Sequence, residues 1–79
     1  MIDDFIKLGK GEQCDYDGAI TTEAICEKAA NLFGIEYMVS EMEEKFPYGC
    51  YAYQGEQIYY NTHEHGLREP HSEPLCKGG

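Results

Sequence analysis

The chain has 79 residues, enough for one small domain. The core of a domain this small supplies no more than about 3–5 kcal/mol, so a covalent staple is expected. Fifteen acidic residues against six basic ones give a net charge of −9, which argues against binding to nucleic acid or to an anionic membrane surface. No apolar run is long enough to cross a bilayer. The first ten residues include Asp3 and Asp4 and lack the unbroken apolar stretch of a signal peptide.

The first predicted element is a short strand over residues 4–8, in which apolar and polar residues alternate imperfectly. A helical turn through Ile2, Phe5 and Ile6 is the alternative. Residues 11–18 are rich in Asp and Gly and predict a loop.

The clearest element is an α-helix predicted over residues 21–33. Either Thr21 or Thr22 is suited to cap its start, because a threonine hydroxyl accepts a hydrogen bond from a backbone N–H of the first turn. Apolar residues recur at helical spacing and form one broad face, which predicts that the helix lies across a sheet. Gly34 is the expected stop.

Three further strands are predicted after the helix. Residues 36–40 are short and β-prone, and residues 50–53 and 57–60 predict a β-hairpin around the turn 54–56. Residues 46–49 contain Pro and Gly and predict a turn.

A long polar loop is predicted over residues 61–74, after which Leu75 and Cys76 return as a short strand or tether. The whole organisation is that of a single Cys-rich domain over residues 1–77, followed by a flexible tail at residues 78–79.

The chain contains four cysteines, Cys14, Cys26, Cys50 and Cys76. None of them forms the close C-x-x-C pair that zinc sites usually use, so two disulfides are favoured over a Cys₄ zinc site. Disulfides indicate an oxidising compartment, and we therefore expect an extracellular or secreted protein. Without a signal peptide, the chain is expected to be an excised mature domain or a piece of a longer secreted protein.

Four cysteines allow three connectivities. We predict the nested one, Cys14–Cys76 with Cys26–Cys50. The inner bridge would attach the predicted helix to the predicted hairpin, and the outer bridge would join the two ends of the ordered region.

Several segments resemble a Cys-rich repeat of predicted secreted or surface proteins from marine algae and other protists. They are residues 20–30 (ITTEAICEKAA), 46–51 (FPYGCY), 58–63 (IYYNTH) and 74–77 (PLCK). The order of elements and cysteines also resembles a reduced PAN/apple domain, in which one disulfide fixes a helix onto an antiparallel sheet. PAN/apple domains bind proteins or carbohydrates, so this resemblance implies a recognition module. It implies no catalytic residue.

Tyrosines are concentrated in and around the predicted hairpin. Tyrosine combines a large flat surface with a hydroxyl at low entropic cost, which suits recognition of glycans or proteins. The alternative is that cross-strand tyrosine pairs simply stabilise the hairpin. We predict Tyr51 and Tyr53 as an exposed pair, and a ligand-binding surface made of Tyr51, Tyr53, Tyr60, Asn61 and His63.

Two segments carry side chains of the kinds that bind metal ions. His63, His65 and His71 lie within reach of one another and suit Zn²⁺ or Cu²⁺, but the intervening Gly66 argues against a regular strand. Asp15 and Asp17 offer oxygens for Ca²⁺, yet the twelfth position of an EF-hand loop would be a cysteine here. We predict no metal and no cofactor.

The fold expected from these features is α+β, a small disulfide-stapled domain with one α-helix packed on a short antiparallel β-sheet. The expected function is an extracellular module that binds a glycan or a protein through the Tyr-rich hairpin and the adjacent loop over residues 61–73. We expect that it is not an enzyme and that it is a monomer or part of a longer multidomain chain. A small secreted effector (a toxin or protease inhibitor), a structural spacer repeat and a metal-binding module are the alternatives.

Overall fold

A computed structural model describes residues 5–14, 18–64, 66–67 and 69–78. The elements, in chain order, are β1 (Phe5–Lys7), α1 (Glu23–Phe33), β2 (Glu36–Glu41), β3 (Gly49–Tyr53), β4 (Gln57–Asn61) and β5 (Ser72–Lys77). One helix packs on one five-stranded sheet, and two disulfides hold the unit together. The predicted α+β, disulfide-stapled class is confirmed.

Local sequence signals set both ends of α1. The Oγ1 atom of Thr22 accepts a hydrogen bond from the Ile25 N–H at 3.3 Å, which satisfies one free donor of the first turn. Gly34 ends the helix in the left-handed region, with φ of 70°, which glycine adopts without strain. The predicted helix is therefore confirmed, although it begins two residues later than expected, at Glu23.

The sheet has the strand order β1-β5-β3-β4-β2. Three neighbouring pairs are antiparallel, but β2 runs parallel to β4, so the sheet is mixed and not purely antiparallel as predicted. The reason is the order of the strands: the chain reverses between β2 and β3 and again at the turn between β3 and β4, so β2 and β4 run in the same direction. The β2–β4 ladder has a register irregularity between Tyr37 and Ser40.

Strand β5 is longer than predicted and lies inside the sheet. It extends over six residues, so the predicted loop 61–74 is shortened to the segment between β4 and β5. Pro74 within this segment favoured a loop, because proline lacks the N–H that a central strand needs. In the structure the Pro74 carbonyl accepts a hydrogen bond from the Leu8 N–H at 2.9 Å, and Leu8 is the first residue after β1. The N–H that proline lacks would therefore point to a position where the β1–β5 pairing has already ended.

Both predicted disulfides are present. Cys26–Cys50 joins α1 to β3, and Cys14–Cys76 joins the loop after β1 to β5. The core between helix and sheet is built around the first bridge, with small residues such as Ala29, Ala30 and Ala52 fully buried beside it. Small side chains let the helix approach the sheet closely.

Candidate binding surface on the outer face of the sheet

The two faces of the sheet have different roles. Residues alternate in direction along a strand, so Cys50 and Ala52 on β3 and Ile58 and Tyr60 on β4 face α1 and belong to the core. We call the opposite side the outer face. It carries the remaining tyrosines of the hairpin.

Four aromatic rings form a layer on the outer face, which we call the aromatic layer: Phe46, Tyr51, Tyr53 and Tyr59. Tyr51 lies at its centre, stacked on Phe46 at a centroid distance of 5.4 Å and on Tyr59 at 5.7 Å. Phe46 also meets Tyr53 edge-to-face at 5.8 Å. These are favourable geometries for aromatic pairs, so the layer is a packed unit.

Tyr51 is the buried anchor of this layer, with only 1% of its surface exposed. The prediction that Tyr51 and Tyr53 form an exposed pair is therefore wrong for Tyr51, because Phe46 covers one side of its ring. Tyr53, at the edge of the layer, is half-buried, as are Phe46 and Tyr59. The surface offered to a partner consists of these three rings.

A carboxylate lies against the anchor. The Tyr51 hydroxyl donates to Glu41 Oε2. Burial raises the pKa of Glu41, and the nearby Glu43 raises it further, whereas the Tyr51 hydrogen bond lowers it. Burial also raises the pKa of Tyr51, together with its bond to Glu41, so Tyr51 stays a neutral donor.

Asn61 organises the segment that carries Phe46. Its side chain is completely buried and makes five hydrogen bonds. Nδ2 donates its two protons to three carbonyls, those of Glu43, Phe46 and Pro47 at 2.7, 3.0 and 3.0 Å, so one proton is shared between two of them. Oδ1 accepts from the N–H groups of Glu43 and His63 at 2.9 and 3.1 Å. Asn61 thus ties the end of β4 to the turn before β3.

Gly66, in the loop after β4, packs against the backbone of the same turn. A Cβ atom at this position would lie 2.3 Å from the Phe46 carbonyl oxygen and 2.6 Å from the Tyr48 nitrogen. Only a residue without a side chain fits against this backbone. The loop is further attached by a hydrogen bond from the Leu67 N–H to the Glu44 carbonyl at 3.2 Å.

His71 extends the aromatic surface beyond Tyr53. The two rings are 6.3 Å apart in an edge-to-face arrangement. Glu69 holds His71 through a contact of 3.1 Å between Nδ1 and Oε2, and accepts from the Ser72 hydroxyl at 2.9 Å. Burial alone would raise the pKa of Glu69, but the hydrogen bonds from His71 and Ser72 outweigh burial and lower it.

The structure assigns scaffold positions to most of the predicted ligand residues. Tyr51, Tyr60 and Asn61 are buried, so they shape the surface without lying on it. Tyr60 faces α1, on the other side of the sheet. Tyr53 and His63 are half-buried and remain accessible in part.

Sequence reasoning missed Phe46 and Glu41 as parts of this surface, whereas His71 lies in the loop 61–73 that is predicted to contribute to it. Phe46 lies in a turn, where no periodic pattern indicates which way a side chain points. The tyrosines of the hairpin share a face by simple alternation, which is the one signal that could have located the layer.

The predicted absence of a metal site stays a prediction. Among the residues that the structure describes, no group of three or more His, Cys, Asp or Glu side chains is placed to hold a metal ion. His71 is engaged by Glu69, as described above. His65, Asp15 and Asp17 lie outside the described residues, as do Asp4 of the first predicted strand and Gly79 of the predicted tail.

No family model, curated protein or solved structure matches the chain. The resemblances to the algal Cys-rich repeat and to PAN/apple domains therefore stay predictions. No helix in the described part of the chain is long and apolar enough to cross a membrane.

Proposed function

We propose that this protein is an extracellular recognition module that binds a protein ligand through the outer face. The observation that supports the proposal is the aromatic layer, in which a buried ring holds Phe46, Tyr53 and Tyr59 half-exposed. Rings that are held in place before binding lose little conformational freedom on binding, which favours affinity.

The charge of the molecule favours a cationic partner. The net charge is −9, and the Glu41 carboxylate lies beside the ring of Tyr51 at the edge of the layer. Arginine and lysine side chains bind both carboxylates and the faces of tyrosine rings. A basic segment of a protein therefore fits this surface better than a neutral glycan does.

The two disulfides support the extracellular part of the proposal. Such bonds persist in oxidising compartments and are rare where thiols are kept reduced. With all four cysteines paired, no described cysteine is available as a nucleophile, which is consistent with a binding role.

A random peptide library displayed on phage and selected against the immobilised domain tests the proposal. We expect enrichment of peptides with several Arg or Lys residues, and binding that weakens as salt rises. Tyr59→Ala, in the layer, should weaken the selected peptides at least tenfold. Tyr37→Ala is the matched control, because Tyr37 is also half-buried but packs against the core on the helix side.

Enriched peptides without a basic bias, or binding that survives Tyr59→Ala, would contradict the proposal. The same domain is applied to a glycan array. Binding to glycans that depends on Tyr59, with no peptide enriched, would replace the protein ligand by a carbohydrate.

A further inference from the structure

Strand β2 forms one edge of the sheet and is paired on one side only. Its partner is β4, and within residues 5–14, 18–64, 66–67 and 69–78 no strand pairs with its other side. The Glu41 carbonyl accepts a hydrogen bond from the Thr62 N–H at 2.8 Å and so points towards β4. Because backbone groups alternate in direction along a strand, those of Ser40 point to the free edge. This edge therefore offers the hydrogen-bonding groups that an added strand uses.

The β2 edge is more accessible to a partner strand than the other edge of the sheet. The other edge strand, β1, has three residues, whereas β2 has six. Val39 within β2 is 54% exposed, and Met42, directly after the strand, is 71% exposed. A long edge strand with exposed apolar side chains is a template for pairing with another chain unless its side chains prevent it.

Carboxylates lie on both sides of this edge. On the helix side, the Tyr37 hydroxyl donates to Glu23 Oε2 at 2.7 Å. Burial raises the pKa of Tyr37, and the carboxylates of Glu23 and Glu27 raise it further, so both lie near β2. Glu41 lies on the outer face, and Glu36 is exposed at the start of β2. A strand added to β2 would therefore meet negative charge with side chains on either of its faces.

These carboxylates decide which partner fits the edge. If two copies of the chain paired their β2 strands antiparallel with full overlap, Glu36 of each copy would lie opposite Glu41 of the other. Like charges directly opposite each other destabilise a sheet, and each copy carries a net charge of −9. A strand with basic side chains at these positions would replace both repulsions by attractions. Charge therefore favours a basic partner over a second copy.

We propose that a basic segment of a partner protein adds to the free edge of β2 as an extended strand. The inference rests on the proposed function, because it specifies how the cationic ligand binds: its backbone pairs with β2, and its lysine or arginine side chains reach Glu36 and Glu41. The register irregularity between Tyr37 and Ser40 interrupts regular pairing, so these charges contribute alongside the backbone hydrogen bonds. Since β2 is the neighbour of β4, which carries Tyr59, the added strand extends the outer face next to the aromatic layer.

A peptide of alternating lysine and valine, as long as the six residues of β2, tests the proposal. Hydrogen exchange at the Ser40 amide, followed by ¹H–¹⁵N NMR, should slow about tenfold or more at saturation, because the added strand bonds the backbone at this position. The same peptide with every backbone nitrogen methylated keeps its length and charge but donates no backbone hydrogen bond, so it should bind about tenfold more weakly. Equal binding of the two peptides, without protection of Ser40, would overturn strand addition.

Two charge-reversal variants locate the site. Glu36→Lys should weaken the lysine–valine peptide about fivefold, because it places a cation on the β2 edge. Glu12→Lys makes the same change in net charge at an exposed residue after β1, at the opposite edge of the sheet, and should leave affinity within about twofold. Equal losses in the two variants would show that the peptide responds to overall charge, and would refute the assigned edge.

Two further results separate this inference from its rivals. A phage-selected basic peptide that requires Tyr59 but leaves exchange at Ser40 unchanged would overturn strand addition and leave the proposed function standing. Protection of Ser40 that rises with protein concentration in the absence of peptide, together with a dimer in sedimentation, would assign the edge to a second copy and also overturn the inference.

Discussion

Replacement of Asn61 by alanine should cost much of the stability of this domain. The variant removes five hydrogen bonds of a fully buried side chain and leaves two backbone N–H groups and three carbonyls, most of them part-buried, without this partner. An unsatisfied buried polar group costs about 1–3 kcal/mol. Because some of the five backbone groups will form hydrogen bonds to water instead, we expect the free energy of unfolding to fall by about 3–5 kcal/mol. A chain of this length has a total stability of about 4–12 kcal/mol.

Urea unfolding, monitored by tyrosine fluorescence, measures this loss. Asn31→Ala is the control, because Asn31 is exposed on α1 and its replacement should change stability by no more than about 0.5 kcal/mol. Asn61→Asp adds a diagnostic, since a carboxylate would face three carbonyls, and its deficit should shrink as the pH falls and the aspartate becomes protonated. A loss below about 1 kcal/mol for Asn61→Ala would refute the role of this side chain.

Two further predictions concern the outer face. Gly66→Ala should destabilise the domain by about 1–3 kcal/mol, because the new Cβ atom would overlap the backbone of the turn before β3. Gly18→Ala is the control and should be tolerated, since its Cβ atom would have no neighbour closer than 3.8 Å. Equal melting temperatures of the two variants would contradict this prediction. Since the pKa of Glu41 is raised above 4.5 in the fold, its contribution to stability is present below that pH and is lost as the pH rises through the folded pKa. Glu41→Gln, which keeps an acceptor for Tyr51, should therefore be more stable than wild type at pH 7 and equally stable near pH 3.5, as measured by urea unfolding. A variant that is less stable than wild type at pH 7 would show that ionisation of Glu41 stabilises the fold, contrary to this prediction.

The elements that the sequence predicts well are those that local chemistry controls. A threonine cap, one apolar face and a glycine stop lie within a single segment, and together they set α1 to within two residues. The nested disulfides are also present, but the sequence allows three connectivities, and the prediction depended on the expectation that Cys26 in the helix and Cys50 in the strand face one another.

The features that sequence reasoning missed depend on contacts between distant segments. Pro74 lies in a central strand because its lack of a donor coincides with the end of β1, and nothing near Pro74 indicates where β1 stops. Tyr51 is buried because Phe46 reaches it from a turn that Asn61 holds in place. Tyrosine alternation predicts that Tyr51 and Tyr59 share a face, but it does not predict that a neighbouring loop covers one of them.

The two faces of the sheet are stabilised by different interactions. On the helix side, Cys26–Cys50 closes a loop with a sequence separation of 24. In the chain-entropy model this bridge lowers the entropy of the unfolded chain and so adds about 3.5 kcal/mol to the free energy of unfolding. That covalent contribution allows the core to consist largely of small side chains. On the outer face, no helix of the described residues covers the sheet, and hydrogen bonds from Asn61 hold the neighbouring turn in place. Because loops cover a sheet less completely than a helix does, aromatic rings remain half-exposed there, and this is where a partner is expected to bind.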